Sequence, residues 1–92
     1  MSTVNTELFT KELINDSIGI ISEYGVKAVS IFCKSATGGS VVGSKNLGAM
    51  SSTPLNISQN QTITFASQTN GVLVGLTILS PASCTLQIIA QL

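Results

Sequence analysis

The ionisable side chains of this sequence are too few and too scattered for most site chemistry. Lys11, Lys27, Lys34 and Lys45 stand against Glu7, Glu12, Asp16 and Glu23, with no histidine and no arginine in 92 residues. A serine nucleophile needs a base within hydrogen-bond reach, and without an imidazole that base would have to be a lysine. No Ser-x-x-Lys spacing occurs in a suitable context, and Ser30 to Lys34 reads as an ordinary alternating strand. The four carboxylates all fall within the first 23 residues. That placement does not suggest the rigid pair a glycosidase sets about a sugar. Nor is there the Asp-x-Asx-x-Asx pattern of a calcium loop. Cys33 and Cys84 cannot complete a tetrahedral zinc shell without histidines or clustered carboxylates. An enzyme is not expected, and neither is a metal or cofactor site.

Gly38-Gly39-Ser40 and Val42-Gly43-Ser44-Lys45 invite comparison with a phosphate loop. The order is wrong, because Lys45 follows Ser44 and precedes Asn46. These glycines read as turn residues. Nucleic acid is excluded as a partner by the same arithmetic of charge. Formal net charge is zero, and phosphate contacts need a basic footprint. Three Asn-x-Ser/Thr triplets begin at Asn15, Asn56 and Asn60, as chance provides in a chain rich in these residues.

What remains is a surface without charge. From Asn46 to Leu92 there is no Asp, Glu, Lys, Arg or His, only apolar residues interleaved with Ser, Thr, Asn and Gln. Charged residues make up 9% of the chain and hydrophobic ones 43%. Disorder is excluded by that apolar content. Chains with so little charge tend to associate, because repulsion between charged surfaces is what holds soluble proteins apart. A homo-oligomer, trimeric or of other number, is therefore expected. Amides and hydroxyls also bind sugars, so a host glycan is the rival partner. Phe9, Tyr24, Phe32 and Phe65 are the only aromatics available for a sugar platform.

The elements that must position these residues are strands. Apolar residues alternate with polar ones from Ser17, and Val26 to Lys34 is the clearest early strand. In it Lys27, Val29, Ile31 and Cys33 share one face, while Ala28, Ser30, Phe32 and Lys34 share the other. Glycine at 38 and 39 predicts a turn, a short strand follows over 40–43, and residues 44–54 read as irregular. Leu55 to Ser58 and Thr62 to Phe65 form a hairpin-like or corner-like pair about Gln59-Asn60-Gln61. Asn70-Gly71 is a strong turn signal. Val72 to Leu79 is apolar on both faces, Ser80 to Ser83 turns the chain, and Thr85 to Leu92 directs Leu86, Ile88 and Ala90 to one side.

The predicted fold is therefore all-β: an antiparallel β-sandwich or jelly roll of seven to eight short strands over 17–92. Residues 1–16 precede it as an N-terminal arm. A short helix capped by Thr6 is the alternative for that segment. Leu8, Phe9, Leu13 and Ile14 are the arm's candidate partner-docking contacts, since exposed large apolar residues call for a groove to receive them. Such an arm is expected to be dispensable for folding. Cys33 and Cys84 suit a reducing compartment as two buried thiols, with a disulfide as the alternative. The first seven residues carry neither the basic nor the apolar region of a secretory signal. No stretch approaches the roughly 20 apolar residues of a membrane span. Synthesis in a cytoplasm is expected.

The run Ser51-Ser52-Thr53-Pro54-Leu55-Asn56-Ile57-Ser58-Gln59-Asn60-Gln61-Thr62-Ile63-Thr64-Phe65 resembles an element of small virion proteins of tailed bacteriophages. So do Val74-Gly75-Leu76-Thr77-Ile78 and Thr85-Leu86-Gln87-Ile88-Ile89-Ala90. In those proteins a polar-Pro run with apolar alternation precedes a Gly-apolar-Thr-Ile strand and a final apolar strand. The resemblance spans about residues 51–92 and is one of style, with no catalytic residue to carry over. It implies a virion structural protein made in the host cytoplasm. Capsid decoration or a head fibre comes first, and a tail fibre or baseplate part second. The partners it implies are further copies of the chain and a major capsid or tail protein.

Overall fold

A computed structural model of the chain describes residues 7–43, 54–67 and 71–92. The irregular stretch expected over 44–54 lies outside them except for Pro54, as do residues 1–6 of the expected arm and Asn70 of the turn. The described residues form strands β1 (Leu8–Ile20), β2 (Ala28–Cys33), β3 (Gly39–Gly43), β4 (Leu55–Ile57), β5 (Thr62–Ala66) and β6 (Leu76–Gln91), with one 3₁₀ turn, Ser22–Tyr24, after β1. All the strand pairings are antiparallel, and together they make one curled sheet.

β6 is the axis of that sheet. Along one side it pairs with β1 for nearly its whole length. On its other side β3 takes the N-terminal part, Leu76 to Leu79, and β2 takes Leu86 to Gln91. β4 then extends β3, and β5 extends β2. The two expected strands over 72–79 and 85–92 are thus halves of one, and Ser80 to Ser83 bends it without ending it. At the bend Ile14 is opposite Thr85 but Asp16 is opposite Ser80, so Asn15 alone faces Pro81 to Cys84. Pro81 has no N–H to give a ladder. Asn15 (φ 49°) and Ser83 (φ 66°) turn left-handed on either side. The buried Ser80 hydroxyl donates to the Cys84 carbonyl at 2.7 Å and ties the bulge across its base. Bulges bend strands and sharpen twist. This one separates a wing of β4, β3 and the first part of β6 from a wing of β5, β2 and the last part.

Period two decides which side chains meet inside. In β2, Val29, Ile31 and Cys33 are buried, with Ala28, Ser30 and Phe32 between them half-buried, as the alternation predicts. In β6, Leu86, Ile88 and Ala90 are buried while Gln87, Ile89 and Gln91 are exposed. Residues of both wings, among them Val41, Ile57 and Ile78 from one and Val29, Ile31 and Leu86 from the other, join a single core cluster. At Gly39, β3 packs directly on Leu86 of the opposite wing. A β-carbon there would lie 2.7 Å from Leu86 Cδ1 and 2.8 Å from the Leu79 carbonyl oxygen. Both thiols are free and buried, and the Cys33 thiol donates weakly to the Ser35 carbonyl at 3.4 Å.

The pair 55–58 and 62–65 takes the corner form. β4 and β5 lie at opposite ends of the strand order and do not pair with each other. Between them Asn60 (φ 64°) is left-handed, and the Gln61 side-chain carbonyl accepts from the Ser58 N–H at 2.9 Å.

Candidate functional site

The segment read as an arm enters the sheet. Leu8 to Ile14 pairs residue by residue with Gln91 back to Thr85, and β1 runs on through Asp16 without a break at the expected domain boundary. The physical reason lies in β6: its N–H and C=O groups on that side need partners, and β1 supplies them. The four candidate docking residues consequently divide. Leu13 sits opposite Leu86, is 1% exposed and belongs to the core, so it is not available to a partner. Leu8 (64% exposed) and Ile14 (55%) lie on the outer face of the sheet, where Ile89 is also bare. Phe9 (47%) lies on the inner face.

That inner face carries a groove the sequence reading did not find. Because β1 bends at Asn15, Phe9 and Lys11 from its first half and Ile18 and Ile20 from its second line one hollow of about 340 Å³, with Tyr24 and Ile88. Lys11 brings the one charged side chain to a mostly apolar lining. The signal in the sequence was slight: an apolar-x-basic step in a segment whose partner strand could not be identified.

Beyond β6, β1 has no strand partner among the described residues. Among the described residues this 13-residue strand therefore has one free side, bordered by exposed Leu8, Phe9 and Ile14. Leu92 N–H donates to the Glu7 carbonyl at 2.9 Å. Since antiparallel ladders alternate, residues 7, 9, 11 and 13 turn their main-chain groups toward β6, and 8, 10, 12 and 14 turn theirs to the free side.

Elsewhere the polar groups are occupied with one another. Ser30 and Thr64 share a hydrogen bond at 3.0 Å across β2 and β5. Ser35 accepts from the Thr85 N–H at 2.8 Å and donates to the Thr37 carbonyl at 2.7 Å. Among the described residues every buried side-chain nitrogen or oxygen has a partner. No group of three His, Cys, Asp or Glu gathers there to hold a metal. No helix in the described residues is long and apolar enough to cross a membrane. Comparison with protein-family models, with curated proteins and with solved structures gave no match.

Proposed function

We propose that the chain is a structural subunit that works by assembly, most concretely a capsid-decoration or head-fibre protein of a tailed bacteriophage, folded as a small sandwich of two sheet wings. The observation that carries the assembly reading is β1: a long strand with one side unpaired among the described residues, flanked by bare Leu8, Phe9 and Ile14. An exposed, apolar strand edge is a template for pairing with another chain, and 9% charge does little to keep one away. The resemblance over about residues 51–92 supplies the virion setting. Leu8, Ile14 and Ile89 on the outer face are the contacts offered to a capsid or tail protein.

The test is composition and imaging of purified particles. The chain is expected at many copies per particle, with density on the capsid surface, and Leu8→Ser/Ile14→Ser is expected to lower its occupancy. Its absence from particles of a phage that encodes it would overturn the virion reading.

A further inference from the structure

We propose that two copies of this chain pair antiparallel through the free sides of their β1 strands, about a two-fold axis at Phe9. The inference deepens the assembly reading and rests on it, naming the first partner as a second copy. In a two-fold antiparallel pair the axis passes through one residue and its own copy, so positions meet across it at equal distances on either side. The charges on β1 then discriminate between registers. An axis at Lys11 or Glu12 sets like charges opposite each other, which destabilises a strand pair. An axis at Thr10 puts Lys11 against Phe9 and Glu12 against Leu8, and an axis at Leu8 puts Glu7 against Phe9. Only the axis at Phe9, of these five, sets opposite charges across the pair: Glu7 of each copy faces Lys11 of the other, twice over.

The main chain agrees with that register. Leu8 and Thr10 direct their N–H and C=O groups to the free side, by the alternation that the Leu92–Glu7 bond fixes. With the axis at Phe9, Leu8 of one copy meets Thr10 of the other as a hydrogen-bonded pair. Phe9 then meets Phe9 in the closer, non-hydrogen-bonded spacing, with Cα atoms about 4.5 Å apart. That spacing favours an aromatic cross-strand contact. Phe9 and Lys11 both border the inner groove, so the second copy's Phe9 would lie along its open flank. Leu8 and Ile14 remain on the outer face for a capsid or tail protein. Lys11 and Glu12 thus penalise indiscriminate pairing at this edge while leaving one register favourable.

Two measurements on the full chain test the register. Phe9→Cys should form an intermolecular disulfide on mild oxidation, because a Cα separation of about 4.5 Å is within bridging range. Leu8→Cys should not, since Leu8 faces Thr10, and the native thiols are buried. In sedimentation equilibrium, Lys11→Glu and Glu7→Lys should each weaken dimerisation by about 10- to 30-fold. Combining them should restore affinity to within about threefold. Circular dichroism checks that each variant keeps the wild-type sheet. The proposal is overturned if the wild type sediments only as a 9.5 kDa monomer at about 100 µM. It is also overturned if the double reversal is no better than the singles, or if Leu8→Cys crosslinks as readily as Phe9→Cys. A folded monomer that is nevertheless abundant on particles would reject the pairing and keep the assembly reading.

Discussion

Ser80 is fully buried, and its hydroxyl spends its proton on the Cys84 carbonyl across the bulge in β6. Removing it leaves a buried carbonyl short of a donor, which costs about 1–3 kcal/mol. Ser80→Ala is therefore expected to lower the unfolding free energy by that amount, read as a lower urea midpoint at an unchanged m-value. Gly39 shows the opposite vulnerability. An added methyl meets a backbone oxygen and Leu86 below 3 Å, and overpacking of this kind costs about 1–3 kcal/mol. Gly39→Ala should destabilise the fold by that much in the same assay. Leu13 and Leu8, five residues apart in one strand, should behave as different kinds of residue. Leu13→Ala empties a core site at a cost of about 2–5 kcal/mol. Leu8→Ser changes an exposed position and should move stability by no more than about 0.5 kcal/mol, while affecting particle attachment.

At the scale of elements, β1 departs furthest from what the sequence shows. Val29-Ser30-Ile31 and Leu86-Gln87-Ile88 declare their inner faces by alternation, because one side of the sheet is buried and the other is not. Leu8, Phe9, Leu13 and Ile14 do not alternate, since Phe9 and Leu13 face inward while Leu8 and Ile14 face outward and stay bare. An apolar residue on the wet face is invisible to periodicity until the partner strand is known. The same blindness split β6 in two. Pro81 and Ser83 carry turn chemistry, and only the tertiary pairing with β1 turns that signal into a bulge. Of the four candidate docking residues, Leu8, Phe9 and Ile14 are exposed and Leu13 is core, and the lysine-bearing groove on the inner face was not foreseen. With β1 a pairing strand along β6, deleting residues 2–14 should unfold the chain. Loss of the cooperative thermal transition would show it, whereas a deletion variant with wild-type circular dichroism would mean that β6 tolerates a bare side.

At the scale of the whole molecule, the outer-face contacts offered to a particle, Leu8, Ile14 and Ile89, give salt nothing to screen. Surface ion pairs contribute little even where they form, and the half of the chain from Asn46 onward has no charge. Attachment to particles is expected to persist between about 0.1 and 1 M sodium chloride, measured by the fraction retained on pelleted particles. Release over that range would point to an ionic interface elsewhere.

The position of β6 in the sheet also orders events during synthesis. β1, β2 and β3 all pair with a strand that is translated after them. Until residues 76–91 have left the ribosome, the earlier strands have each other only at the β2–β5 and β3–β4 margins. Two short ribbons without a sheet centre are marginal in water, and closing such distant pairings is slow. A nascent chain arrested before Leu76 would therefore be cut readily by protease, and protection would arrive in one step with the strand that joins the wings.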